Sequence, residues 1–281
     1  MSSPEPEMPP QPERSDPETS KLDRTAILSM LQQINANAVG LQIEVEQTLD
    51  STSDHMARLR AKGRKPDVVV ANEQTAGRGR RGRHWLSPPG AGLYLSFGRA
   101  FNRPIGQLGA ISLIAGLATA EALEASCEVV TGLKWPNDVQ VDGRKLAGCL
   151  VDIEGSPNAP TATIGIGINI DFRGQPGPDQ PWTDLASSVS SIPDRNRLAA
   201  LLISHLHQGL SDFEQQGFGG LQEQWGRRDV LYGQEIVAMG ADAKPLRGRA
   251  TGLNESGHLL LEQNGQIRAL SSGEVSLLRR V

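Results

Sequence analysis

Apolar residues recur at helical spacing near the start of the chain. Ile27, Leu28, Leu31 and Ile34 form one stripe, which predicts a short helix from Asp23 to Ile34. The cluster Asp50-Ser51-Thr52-Ser53, ahead of His55-Met56-Ala57-Arg58-Leu59, has the composition of an N-cap and opens a second helix. The β-branched run Asp67 to Asn72 reads as a buried strand. Leu93, Leu95 and Phe97 alternate with Tyr94 and Ser96, which predicts another strand. A Gly/Arg loop, Ala76 to Gly92, lies between them. A helix from about Gln107 to Ser126 then crosses over. The stretch Pro104 to Ala120 carries no charge, but Gln107, Ser112, Thr119 and its glycines mark it as a core helix rather than a membrane span.

Val139-Gln140-Val141 and Lys145 to Ile153 flank Asp142-Gly143, a strong hairpin signal. A third strand, Thr161 to Ile170, completes an antiparallel meander. In it Ile164, Ile166, Ile168 and Ile170 point to one face, and Gly165, Gly167 and Asn169 to the other. One face therefore packs on helices, while the other presents bare backbone to which a ligand can come close. After a Pro/Gly/Asp-rich loop, Phe172 to Asp184, Asp194 caps a long amphipathic helix bearing Leu198, Leu201, Leu202, Leu206, Leu210 and Phe213. Beyond Trp225 the pattern changes to short alternating strands at 236–238, 248–252, 258–262, 266–270 and 275–278, the signature of a small β-barrel or sandwich. The expected organisation is a Pro/Glu-rich disordered tail over 1–20, an α+β unit over 21–228 with a mixed or antiparallel central sheet and helices packed on one face, and a barrel over 229–281.

Composition narrows the class. Of 281 residues, 38% are hydrophobic and 21% charged, enough to bury a sizeable core. The net charge of -4 argues against a general nucleic-acid binder. Cys127 and Cys149 sit in apolar surroundings at no metal-ligand or disulfide spacing, which fits a reducing compartment, the cytoplasm. The first twenty residues have no apolar core segment and are not a secretory signal. His55 and His84 show no metal-ligand spacing and read as surface or loop residues.

The segment Gly77-Arg78-Gly79-Arg80-Arg81-Gly82-Arg83 contains G-x-G-x-x-G, but His84-Trp85-Leu86-Ser87-Pro88-Pro89-Gly90 follows, and that cannot be the helix a dinucleotide fingerprint requires. Three readings stay open for it: a solvated charged loop, an arginine-rich nucleic-acid segment with Trp85 to stack, and a loop that closes over a polyanion. Arginines grip phosphate and carboxylate bidentately, and glycines let the backbone approach and move. Lys134-Trp135-Pro136-Asn137-Asp138 precedes the hairpin, and Arg144-Lys145-Leu146-Ala147-Gly148 follows its turn. A lone lysine at a hairpin end is ordinarily solvated. Here two lysines and four arginines converge near a glycine-faced strand.

These runs resemble the motifs of biotin–protein ligases (biotin–[acetyl-CoA-carboxylase] ligases). Residues 73–85 are similar to GRGRxGRxW, Lys134 to Asp138 to KWPND, Arg144 to Gly148 to RKxxG, Gly165 to Asn169 to GIGxN, and Asp50-Ser51-Thr52 to D/E-S-T-N. Ser53 stands where the family has Asn. The resemblance implies a class II synthetase-like catalytic unit with a C-terminal SH3-like barrel, in a form without the N-terminal winged helix-turn-helix of repressor-type members and so without operator-DNA binding. It implies that biotin and Mg-ATP give biotinyl-5'-AMP, and that biotin then passes to a lysine of a biotin carboxyl carrier domain. Lys145, Lys134 and Arg80 carry the catalysis. Biotin contacts fall to Ser51, Thr52, Ser53, Gln74, Gly77, Arg78, Gly79, Arg80, Lys145 and Gly148. Nucleotide contacts fall to Arg80, Arg81, Arg83, Trp85, Lys134, Asn137, Gly167 and Asn169. Magnesium enters with ATP rather than on protein ligands alone. No membrane partner is implied, and a homodimer is left open. Two other readings compete: a lipoate or octanoyl transferase on the same fold, and a non-catalytic binding module.

Overall fold

The computed structural model describes residues 21–38, 40–175, 177, 181–239 and 245–278. The stretch read as a disordered tail lies outside them. Asp23 caps α1 (Arg24–Ile34) by accepting the Ala26 N–H at 2.8 Å. Strand β1 (Ile43–Leu49) leads into α2 (Thr52–Ala61), capped by Ser51, and then β2 (Val68–Gln74). Next come β3 (Gly92–Ala100), α3 (Ile111–Ser126), β4 (Gly132–Lys134), β5 (Asp138–Val141), β6 (Arg144–Ser156) and β7 (Ala159–Asn169). Helices α4 (Arg195–Gln216) and α5 (Gln222–Gly226) follow. The chain ends in β8 (Glu235–Met239), β9 (Pro245–Leu253), β10 (Leu259–Gln263), β11 (Gln266–Leu270) and β12 (Glu274–Leu277).

The first seven strands form one sheet in the order β1-β2-β3-β7-β6-β5-β4, and the last five a second in the order β11-β10-β9-β8-β12. The expected hairpin is present. Asp142 and Gly143 both take positive φ, 50° and 72°, as a two-residue turn with the twist of its strands requires. The expected meander is β5-β6-β7, and Ile164, Ile166 and Ile168 join Leu93, Leu95 and Phe97 in the core under α1, α3 and α4. Helix α2 lies on the opposite face, where Met56 and Leu59 pack on Val69. It is the crossover that makes β1 and β2 parallel. Strands β1 and β4, which have no local sequence signature, are the two edges of the sheet. Segment 105–126 is apolar and long enough to cross a membrane, yet 72% of its apolar window is buried inside the fold.

The two sheets meet through specific polar bonds. The Trp135 indole donates to the Gly257 carbonyl at 3.1 Å, and Leu133 on β4 bridges to Asp229 just before the second sheet. The Asp229 carboxylate accepts the Leu231 N–H at 2.9 Å, and burial pushes its pKa up from 3.8 to about 6. Between these values the folded chain holds a proton that the unfolded chain has released, so stability falls as pH rises through that window. Asp229→Asn keeps the acceptor and removes the buried charge. It is expected to stabilise the protein by about 1–3 kcal/mol near pH 7 and to make no difference at pH values below the unfolded pKa. Thermal melts across pH check this, and a gain that is the same at every pH would contradict it.

Candidate active site

The glycine face of β7 is the floor of a cavity of about 740 Å³. A Cβ on Gly167 would overlap the Trp85 indole, and one on Gly148 would press on both Trp85 and the Lys145 side chain. The close approach expected from the Ile/Gly alternation is therefore real, and in this structure Trp85 itself makes it. The indole Nε1 is buried without a hydrogen-bond partner. Gly167→Ala is expected to lift the indole off the sheet and to destabilise the fold by about 1–3 kcal/mol, the usual cost of forcing a methyl group into a packed contact. Thermal melts check it, and an unchanged melting temperature would show that the indole does not rest on this glycine.

At one end of the floor, polar groups are tied into a network by the start of α2. Thr52 donates its backbone N–H and hydroxyl to Gln74 Oε1 at 2.9 and 3.1 Å, and Gln74 Nε2 donates to Ser87 at 2.9 Å. Ser96 donates to Thr52 at 2.8 Å and lies 3.0 Å from Ser53. These side chains are held in place by one another before any ligand arrives, which is what specific recognition of a small polar head needs.

The cations surround the middle of the floor. Lys145 Nζ lies 2.7 Å from Asp138 Oδ1 and 5.3 Å from the centre of the Trp85 ring. Lys145 is only 14% exposed: pairing with Gln140 of β5 carries it into the cavity wall, where the expected convergence of cations on the glycine-faced strand is found. Burial pulls the Lys134 pKa down, opposed by Asp138 and reinforced by Lys145. Arg80 donates to Asn137 Oδ1 at 3.0 Å and to the Gly273 carbonyl at 3.2 Å, and burial, with Arg81 and Arg83 nearby, pulls its pKa down too. Arg78 bridges Asp54 at 2.7 Å and Asp152 at 2.9 Å. Arg83 pairs with Glu274 of β12, and Arg81 lies 3.5 Å from the same carboxylate. A pocket this rich in fixed positive charge suits ligands that bring several negative charges together.

Ser51, Thr52, Ser53, Gln74, Arg78, Gly79, Arg80, Arg83, Trp85, Lys134, Asn137, Lys145, Gly148 and Gly167 all line the cavity. Three expected residues lie outside its wall. Gly77 sits under the Trp85 carbonyl, where a Cβ would collide. Arg81 adopts φ 56° and turns toward Glu274. Asn169 donates to the Thr183 carbonyl at 3.0 Å and so ties down the loop after β7. Sequence reasoning gives no role to Asp138, the counter-ion of Lys145, although it stands beside Asn137 in the motif. Nor does it find Glu274, Val275 and Ser276, which bring the second sheet into the cavity wall; no local signal marks them. His84, read as a loop residue, also lines the cavity.

With this geometry established, similarity to known proteins is specific. The profile of the Biotin/lipoate A/B protein ligase family matches residues 44–169, and that of the Biotin protein ligase C terminal domain matches residues 232–278. The bifunctional ligase/repressor BirA of Escherichia coli is 36% identical over 256 residues, 88% of this chain and 79% of that protein. A biotin–[acetyl-CoA-carboxylase] ligase of Mycobacterium tuberculosis is 32% identical over 264 residues, 92% of this chain and 96% of that protein. The biotin protein ligase from Aquifex aeolicus, solved in complex with biotin and ATP, superposes with a TM-score of 0.69 at 30% identity, covering 85% of this chain and 99% of that one. Fold, cavity and both matched segments agree, and the chain belongs to the biotin/lipoate A/B protein ligase family, among its biotin protein ligases.

Proposed function

We propose that the chain is an ATP-dependent biotin–[acetyl-CoA-carboxylase] ligase, which forms biotinyl-5'-AMP and then acylates a lysine of a biotin carboxyl carrier protein. The observation that carries this reading is the position of Lys145, held by Asp138 over the glycine floor between a preformed polar network and an arginine loop. The first step brings an ionised carboxylate onto the α-phosphate of ATP. Two anions must meet, so fixed cations matter more than an acid or a base. Ser51, Thr52, Ser53 and Gln74 read the biotin head, with Gly77, Arg78, Gly79 and Gly148 around it. Lys145 lies at the junction of carboxylate and α-phosphate. Arg80, Arg83, Trp85, Lys134, Asn137 and Gly167 hold the nucleotide, with Arg81 and Asn169 supporting from outside the wall.

Magnesium, when bound with ATP, neutralises phosphate charge. In this part of the wall the Asp138 carboxylate and the Asn137 amide oxygen are already engaged by Lys145 and Arg80, so phosphate and water rather than the protein would supply most ligands of a hard cation. The carrier lysine is the nucleophile of the second step, and the AMP phosphate leaves toward the arginines. We place the catalytic unit at 21–228 and the barrel at 229–281, with Glu274 letting the barrel hold the loop. The net charge of -4 speaks against a nucleic-acid partner, and two free cysteines suit the cytoplasm.

The test is incubation with ATP, magnesium and labelled biotin, with and without a carrier domain, beside a parallel panel of lipoate and octanoate. Label is expected on one carrier lysine from biotin alone. Transfer of lipoate or octanoate instead would move the chain to the acyl-transferase side of the family. Tight binding without transfer would make it a binding module.

A further inference from the structure

A cluster of donor atoms outside the cavity has no place in the ligase chemistry. Glu44 and Glu46, two positions apart on the edge strand β1, share one face of it. His55 comes to them from the first turns of α2. Its Nε2 is buried and makes no hydrogen bond, and Glu44 Oε2 stands 3.8 Å away. One donor atom from each of the three residues falls within 4.8 Å of the others, and all three residues are half-buried. Arg64 holds the second Glu44 oxygen at 2.7 Å and so fixes that carboxylate's direction. Glu46 makes no ion pair among the described residues. Sequence spacing carries no signal for this group, because its members come from two elements that meet only when α2 crosses between the parallel strands.

A buried imidazole nitrogen left between two carboxylates, one without a counter-ion, costs free energy unless something fills the gap. A proton on Nε2 would still leave it beyond hydrogen-bond distance of Glu44. A metal ion suits the spacing better. Tetrahedral bonds of about 2.0–2.2 Å to nitrogen and oxygen put neighbouring donors about 3.3–3.6 Å apart, so the three groups, now within 4.8 Å of one another, need close by at most about 1.5 Å, a distance that turns of the two glutamate side chains can supply. One imidazole with two carboxylates is a donor set for zinc-class ions rather than for magnesium or calcium, which want oxygen throughout. Arg64 would then orient a ligating carboxylate, as outer partners commonly do.

We propose that Glu44, Glu46 and His55 form a binding site for one divalent transition-metal ion of the zinc class, with its open position to water, tying α2 to β1. The site shares none of its three residues with the cavity wall, so it stands or falls independently of the ligase reading. The test uses the full chain without a histidine tag, stripped with chelator. Cobalt(II) titration is read by its visible ligand-field bands, and zinc titration by calorimetry. One equivalent of cobalt is expected to give the bands and zinc to displace it. His55→Gln and Glu46→Gln are each expected to weaken uptake by well over tenfold, and Arg64→Ala by about tenfold. Thermal melts of the metal-free variants show whether each still folds, and ATP-dependent biotinylation of a carrier domain is expected to be unchanged in Arg64→Ala. No uptake by the wild-type chain, or uptake that folded His55→Gln and Glu46→Gln retain in full, would overturn the proposal.

Discussion

Replacing Lys145 with alanine is expected to slow biotinyl-adenylate formation by about 10²–10³, the usual effect of deleting one preorganised electrostatic group. The effect is large because the ammonium lies in the cavity at 14% exposure, where little water is left to substitute for it. The fold should feel the change as well. Removing one member of a fully buried ion pair costs about 3–5 kcal/mol. Here Asp138 keeps 20% exposure and has Lys134 and Arg80 within electrostatic reach, so a smaller loss of about 1–2 kcal/mol is expected. The double substitution Lys145→Ala/Asp138→Asn removes the stranded carboxylate and is expected to recover the melting temperature but not the rate. Pyrophosphate release measures the rate, and wild-type release by Lys145→Ala would remove the lysine from the reaction.

Arg80→Gly is expected to let the adenylate escape. Arg80 is the loop arginine that reaches inward: it bonds the Asn137 amide on one side and the Gly273 carbonyl of the barrel on the other. Hydrogen bonds from a charged donor contribute about 1.5–3 kcal/mol each, so losing even one of the two that close the loop should speed adenylate release by about tenfold to a hundredfold. An acyl-adenylate in solution reacts with any accessible amine. The readout is therefore labelling of lysines on bystander proteins, and labelling that stays confined to the carrier domain would overturn the role. The rest of the loop is held more weakly. Arg78 with Asp54 and Asp152, and Arg83 with Glu274, are half-exposed pairs, each worth about 0–1 kcal/mol. Opening is thus cheap in the empty enzyme. Trypsin is expected to cut near 78–83 without ligand and to be blocked by biotin with ATP. Equal cleavage in both states would show that the loop is not a lid.

Local patterns determined most of the elements. The 3.6-residue stripes of α1 and α4, the Asp23, Ser51 and Asp194 caps, the Asp142-Gly143 turn and the five strands of the barrel are all short-range signals, because a cap, a turn or an amphipathic face is decided within a few residues. The Ile/Gly alternation of β7 was equally legible, since a strand sends alternate side chains to opposite faces wherever it lies. That alternation alone specified a floor open to close approach. The motifs then told which charges belonged to the cavity. Their sequence order could not say which carboxylate each cation would meet. Asp138 is the partner of Lys145 because a β-hairpin folds them together, and Glu274 meets the arginine loop because a second sheet packs against the first. Strand β1 was not legible because a parallel pair has no turn to announce it and depends on a crossover helix. The same crossover brings His55 to Glu44 and Glu46. Contacts between distant segments depend on the whole core closing at once, and that information belongs to the tertiary structure alone.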